Sequence, residues 1–181
     1  MSDNNFSENI QSLDELVSSL SEGERTKYSN ILTSTSLSMS DLEALGSWSD
    51  ESYTRNCVFK NDDFELILLC WEKDQITPIH DHGGEECWVY FLNGEFKELI
   101  YKEDESGKFV QTKETYVDPG AVTYMVDFMG FHNLKNVSGK RSMTLHVYAN
   151  PIKTCQILDE ATSELSSKEM KFDTVIEQVS H

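Results

Sequence analysis

The sequence predicts a mainly β protein, either a sandwich or a barrel, preceded by short α-helices. Short runs rich in β-branched and aromatic residues recur about every 8–12 residues with turn signals between them, which is typical of such folds. Helical spacing is confined to residues 1–50. The 181 residues suffice for one domain with a real core. We therefore expect a single domain, with a helical segment (1–50) packed on a β-barrel (51–181).

The N-terminal segment predicts three short helices. Leu13, Leu16, Val17 and Leu20 follow the spacing of one helix face. Either these helices form a lid or a partner surface, or they only pack on one side of the sheet, which is the commoner arrangement. The predicted starts are the capping box Ser12–Glu15, then Ser21–Glu24, then Ser40–Glu43, with the third helix ending near Gly46.

From Tyr53 the pattern changes to strands. Phe64–Trp71 is nearly all apolar, so we expect it to be buried on both faces. The predicted strands are Cys57–Lys60, Phe64–Trp71, Glu95–Lys102, Phe109–Tyr116, Val122–Val126, Leu134–Val137, Ser142–Tyr148, Cys155–Leu158 and Met170–Ile176.

The stretch His80–Gly94 carries the first chemical signal. In a strand, residues i and i+2 point to one face, so His80 and His82 can share a metal ion. A cysteine, Cys87, and an apolar run follow, and the run ends at Asn93-Gly94, a hairpin turn signal. We interpret the stretch as loop, metal-binding strand, tight turn and next strand.

A second polar pattern lies on the strand predicted for Ser142–Tyr148. Thr144, His146 and Tyr148 alternate, so all three can face one cavity and form a hydrogen-bonded chain that orients the phenol. The alternative is a polar stripe on the outside of the barrel.

These motifs together resemble the two motifs of the cupin barrels. The first of those motifs runs HxH, Glu and Gly, and the second supplies a further His followed by Asn. Here His132 takes the place of the second-motif histidine, and Gly94 lies at the expected distance. The position of the cupin glutamate is Cys87, although Glu86 fits a shorter gap and is an alternative ligand.

The cysteine narrows the resemblance to the cysteine dioxygenase family, over roughly residues 53–159. Further matching stretches are Tyr53-Thr54-Arg55-Asn56, Leu68-Leu69-Cys70-Trp71, His80-Asp81-His82, Thr144-Leu145-His146-Val147-Tyr148 and Thr154-Cys155.

The resemblance implies an Fe(II) thiol dioxygenase in a cupin barrel, with L-cysteine and O2 as substrates and cysteine sulfinic acid as product. It implies that His80, His82 and His132 bind the iron, and that Arg55, with Tyr53 beside it, holds the substrate carboxylate. Tyr148 would position the substrate, oriented by His146 and Thr144. Cys87 would form a thioether with Tyr148.

Several alternatives stay open at this point. Zinc also accepts three histidines, so their spacing alone does not choose iron. Arg55 could instead pair with Asp50 or Glu51 on the surface. The chain could oxidise 3-mercaptopropionate or another small thiol, bind a metal or small ligand without catalysis, or be a zinc- or nickel-loaded isomerase.

Composition narrows the class of partner. The formal net charge of -17 repels phosphate backbones, so we expect no nucleic-acid partner. No apolar run approaches the ~20 residues of a membrane helix, and the polar start Met1–Asn5 does not resemble a signal peptide. We expect a cytoplasmic monomer whose four cysteines are reduced.

Overall fold

The computed structural model of the chain describes residues 9–176, so Met1–Asn5 and His181 lie outside the described residues. The α-helices are α1 Leu13–Glu22, α2 Tyr28–Thr33 and α3 Met39–Leu45, and short 3-10 helices span Arg25–Lys27 and Asp127–Met129. The strands are β1 Thr54–Lys60, β2 Phe64–Trp71, β3 Ile79–His80, β4 Glu86–Phe91, β5 Phe96–Glu103, β6 Phe109–Val117, β7 Val122–Met125, β8 Phe131–Asn136, β9 Ser142–Ala149, β10 Thr154–Leu158, β11 Leu165–Glu169 and β12 Thr174–Val175.

The strands form two six-stranded sheets whose inner faces share one apolar core. The first sheet has the order β12-β1-β2-β9-β4-β7, and the second has β11-β10-β3-β8-β5-β6. The pairs are antiparallel except for the parallel pair β1 and β12. Side chains such as Trp71 and Phe91 from the first sheet meet Phe96 and Leu134 from the second. This arrangement confirms the predicted mainly β, jelly-roll-like cupin barrel with short N-terminal helices.

Strand β2 is buried along its whole length, as the apolar run predicts. Phe64, Leu66 and Leu68 face outward into a cluster with the helices, while Ile67 and Leu69 face the barrel interior. The helices therefore cover the outside of the first sheet, which agrees with the packing alternative rather than with a lid. The predicted domain division between residues 50 and 51 stays a prediction.

Helix α1 begins at the predicted capping box: the Glu15 N–H donates to Ser12 Oγ at 3.2 Å, and the Ser12 N–H donates to Glu15 Oε2 at 3.3 Å. The predicted start of the second helix at Ser21–Glu24 is wrong. Ser21 lies inside α1, where its hydroxyl donates to the Val17 carbonyl at 2.7 Å. The next α-helix begins only at Tyr28, whereas α3 ends before Gly46 as predicted.

The predicted hairpin at Asn93-Gly94 is also wrong, although the turn exists. Gly94 has a positive φ of 77°. However, β4 before the turn pairs with β7 and β9, and β5 after it pairs with β6 and β8. The turn therefore carries the chain from one sheet to the other.

The C-terminal strands differ from the prediction. Met170–Ile176 was expected to be one strand, but only Thr174–Val175 is extended and paired there. Strand β11, which precedes it, has no buried face and hence no apolar alternation that could have indicated it. Strand β8 begins at Phe131, earlier than predicted, and so includes His132. No helix among residues 9–176 is long and apolar enough to cross a membrane.

Candidate active site

Two neighbouring strands of the second sheet bring the three predicted histidines together. His80 on β3 is directly opposite His132 on β8, and His82 lies just beyond the end of β3 rather than on the strand. One ligand nitrogen of each ring lies within 4.8 Å of the others. His82 and His132 are buried and His80 is half-buried, so the cluster is a candidate metal site inside the barrel.

Hydrogen bonds orient two of the rings. The Nδ1 of His80 donates to the Pro78 carbonyl at 2.9 Å, and the Nδ1 of His132 lies 2.8 Å from Glu98 Oε1. A proton on each Nδ1 leaves each Nε2 free as a metal ligand.

The donor set fits a divalent transition metal. The Nε2 atoms of His82 and His132 are 3.0 Å apart, and the buried Nδ1 of His82 has no hydrogen-bond partner in the described part of the chain. Burial, followed by the charge of His132, lowers the pKa of His80 to about 3 and the pKa of His82 well below its usual range. The rings are therefore neutral near pH 7, as metal ligands must be.

Glu98 is a residue of the site that was not predicted from the sequence. Its carboxylate accepts from His132 and is almost fully buried, with 7% of the residue exposed. Buried Phe96, Glu98 and Ile100 alternate on β5. That alternation was visible in the sequence and could have indicated an inward-facing carboxylate.

Two aspartates that carry no sequence signal hold the loop after β3. Asp127 Oδ1 accepts the His82 N–H at 2.9 Å, and Asp127 Oδ2 accepts the Gly84 N–H. Asp81 Oδ1 accepts the N–H groups of Gly83 at 3.1 Å and Gln156 at 2.7 Å. The backbone of the loop after β3, which carries His82, is thus held by two aspartate side chains.

A small, partly open cavity adjoins the histidines. It brings together most of the predicted site residues. The predicted site residues that line it are Tyr53, Arg55, His80, His82, His132, His146 and Tyr148. Thr144 and Cys87 are not among the lining residues and lie behind that wall.

Arg55 lies in the cavity wall with a free donor. Its Nε donates to the Lys171 carbonyl at 3.2 Å, and its backbone N–H donates to Asp173 Oδ2 at 2.7 Å. Its Nη2 is buried and has no hydrogen-bond partner within residues 9–176. The alternative pairing with Asp50 or Glu51 does not occur in this structure.

The polar side chains of β9, which are Thr144, His146 and Tyr148, are buried inside the barrel. The alternative of a polar stripe on the outside of the barrel is therefore wrong. Thr144 Oγ1 lies 2.9 Å from His146 Nε2 and accepts the Trp71 indole N–H at 2.9 Å. The predicted hydrogen-bonded chain stops there. The His146 and Tyr148 rings stack with centroids 6.2 Å apart, and His146 Nδ1 has no hydrogen-bond partner among the residues described. Trp71, which also stacks on Tyr53 at 4.8 Å, is an additional support of the site.

Cys87 is buried directly opposite Tyr148 in the β4–β9 pair. Burial raises the pKa of the Cys87 thiol, and the nearby phenol opposes that rise. Glu86, the alternative ligand, faces away: its Oε1 accepts the Tyr124 hydroxyl at 2.7 Å, and its Oε2 lies 3.5 Å from Arg25. Glu86 is therefore not a metal ligand in this structure.

Comparison with known sequences identifies the protein family that this chain matches. The family model for cysteine dioxygenase type I matches residues 5–161. Human cysteine dioxygenase type 1 is 32% identical over 124 residues, which are 66% of this chain and 62% of the human protein. The Danio rerio protein of the same name is 30% identical over 126 residues with the same coverage. The chain thus matches under two thirds of the length of these relatives.

Among solved structures, Peruvianin-I, a cysteine peptidase from Thevetia peruviana latex, superposes with a TM-score of 0.50 at 12% identity. The match covers 62% of this chain and 71% of that one, and at such identity it concerns the fold alone. The family match spans most of the chain, including the three histidines, Arg55 and the Cys87–Tyr148 pair. The chain belongs to the cysteine dioxygenase type I family.

Proposed function

We propose that the chain is a mononuclear non-haem Fe(II) thiol dioxygenase that acts on L-cysteine. The observation that carries this proposal is the joint position of three imidazoles and the buried Arg55 guanidinium on one cavity. The thiol RSH and one O2 would give RSO2H, with both oxygen atoms on sulfur. This balance requires no further reductant.

His80, His82 and His132 would hold the iron through three neutral nitrogens. Because no carboxylate would bind the metal, the ion would keep its full positive charge, and open coordination positions would remain. Iron when bound would lower the pKa of the substrate thiol and supply the redox chemistry with O2. Glu98 would keep the His132 ring in the correct tautomer and orientation.

Arg55 would take the substrate carboxylate through its free Nη2, because a planar guanidinium matches a carboxylate well. Tyr53 would close the wall beside it. Tyr148 would position the substrate with its phenol, and the stacked His146, held by Thr144 and Trp71, would fix the ring of Tyr148. Cys87 would be joined to Tyr148 by a thioether that immobilises the phenol. The new bond from Sγ to a ring carbon would replace the S–H and one ring C–H, and O2 would be the oxidant that accepts the two hydrogens. The chain would act as a cytoplasmic monomer, and its four cysteines, which are buried and free, would stay reduced.

The direct test is to load the protein anaerobically with Fe(II), add L-cysteine or 3-mercaptopropionate, and follow O2 uptake and sulfinate formation. We expect one O2 consumed per sulfinate formed, with L-cysteine the better substrate. No uptake with any thiol despite bound iron would favour a metal-binding cupin without this activity. Isomerase activity with zinc or nickel would favour the third alternative.

Replacing Arg55 tests the carboxylate site. We expect Arg55→Ala to raise KM for L-cysteine by roughly 10- to 100-fold, because a charge-assisted hydrogen bond is lost. Cysteamine, which lacks a carboxylate, should show no such change. The matched control is Arg141→Ala, since Arg141 is exposed and pairs with Glu72 at 2.6 Å. An unchanged KM for L-cysteine in Arg55→Ala would exclude the carboxylate role.

Replacing Glu98 tests the support of His132. Loss of such a carboxylate partner typically costs about 10- to 100-fold in metal affinity. We expect that loss in Glu98→Ala, measured by competition for Fe(II) or Zn(II) with a chelator, and a smaller loss in Glu98→Gln. Glu114→Ala is the control, because Glu114 pairs with Lys97 at 3.3 Å on the surface. Equal affinities in Glu98→Ala and the native protein would refute the proposed support.

Peptide mapping tests the thioether. In a tryptic digest of active protein, we expect a linked species that contains Cys87 and Tyr148 and has two hydrogens fewer than the separate peptides. Cys87→Ser should abolish that species, whereas Cys57→Ser should leave it intact. Detection of only free Cys87 and Tyr148 peptides in turning-over enzyme would remove the crosslink from the account.

A further inference from the structure

The cavity has a second cation that the proposed function does not use. Lys168 lies on β11, directly opposite Cys155 of β10, and lines the same cavity as Arg55. The nearby Lys171 pairs with Glu169 at 3.6 Å, whereas Lys168 forms no ion pair in the described structure. Its ammonium group is thus available at the cavity mouth.

The charge of this wall is opposite to that of the chain. The net charge is -17, but the residues that line the cavity include the cations Arg55 and Lys168 and no carboxylate. The mouth also holds Lys171 and the carboxylates Glu169 and Asp173, so with Arg55 and Lys168 it has three cations and two carboxylates. A small anion would find this mouth to be a local positive site.

The positive charge of Lys168 also acts on a group inside the cavity. Burial and then the charge of Asp81 raise the pKa of the Cys155 thiol, and Lys168 opposes that rise. Lys168 and Met170, which both line the cavity, lie beyond residues 5–161, the part that the family model matches. This wall therefore comes from a part of the chain to which the family match does not extend.

We propose that Lys168 is a specificity-determining residue that favours small thiols carrying a second acidic group in addition to the carboxylate bound by Arg55. The inference rests on the proposed thiol dioxygenase function and names a substrate class for the same site. Two cations about one small cavity would stabilise two anionic groups, and they would disfavour a substrate whose only charge is an ammonium group. The contribution of Lys168 to binding should fall in the order dicarboxylate, monocarboxylate, zwitterion, cation, whichever thiol the native protein oxidises best.

The experiment compares four thiols that span this order: mercaptosuccinate, 3-mercaptopropionate, L-cysteine and cysteamine. Their dissociation constants are measured by anaerobic equilibrium dialysis with the Fe(II)-loaded protein, and kcat and KM are measured in air. The variants are Lys168→Gln, Lys168→Arg and the control Lys113→Gln. Lys113 is exposed on β6, away from the cavity, and its replacement changes the net charge equally.

In Lys168→Gln we expect mercaptosuccinate to bind about five- to tenfold more weakly and 3-mercaptopropionate about threefold more weakly. L-cysteine should change less than about twofold, and cysteamine should bind as well as before or better. The weaker binding of the anionic thiols should appear in KM rather than kcat, and it should be absent from Lys168→Arg. It should become smaller at higher salt, because salt shortens the screening length.

Two results would overturn the inference while leaving the proposed function intact. One is equal weakening of all four thiols in Lys168→Gln, and the other is the same ranked change in Lys113→Gln. If the native protein oxidises none of the four thiols, the proposed function fails and the inference fails with it.

Discussion

The site depends on the pairing of two short strands, β3 and β8. This pairing sets His80 opposite His132, and the chain then turns so that His82 completes the cluster. Strand β3 has only two residues, so it cannot fix this geometry alone. The β10 and β8 neighbours, the Asp81 bonds and the Asp127 bonds to the following loop supply the constraint. The histidine cluster is therefore a property of the second sheet and its connections.

The distribution of charge supports the proposal of an anionic substrate. The acidic residues that dominate the composition do not line the cavity. The buried carboxylate of Glu98 lies behind His132 and accepts from its Nδ1. Cys87 occupies the strand position where an ordinary cupin would place its glutamate, and it faces Tyr148 instead of a metal. A bound metal ion would thus keep its full positive charge, which would favour an anionic substrate.

The sequence predicted those parts of the molecule that depend on local patterns. Apolar alternation identified most strands, and the motif order together with the family resemblance brought the three histidines, Arg55 and Tyr148 to one cavity. The errors came from long-range structure. The signal at Asn93-Gly94 marks a turn but does not say that its flanking strands join different sheets. Asp127 contacts His82 across more than forty intervening residues, and exposed β11 has no periodic signal.

The polar groups in and behind the cavity wall show the same limit of prediction from the sequence. Alternation on β9 correctly predicted inward-facing Thr144, His146 and Tyr148, but not that Trp71 supplies the donor to Thr144 or that His146 stacks on the tyrosine. Such contacts depend on which strands become neighbours, and β2 and β9 pair over a separation of more than seventy residues.

The most direct measurement of the central claim is isotope incorporation during turnover of the iron-loaded protein. With 18O2 as the oxygen source and L-cysteine as substrate, the account predicts cysteine sulfinic acid that carries two labelled oxygen atoms from one molecule of O2. A sulfinate with one labelled atom, or with none, would contradict a dioxygenase reaction at the three-histidine site.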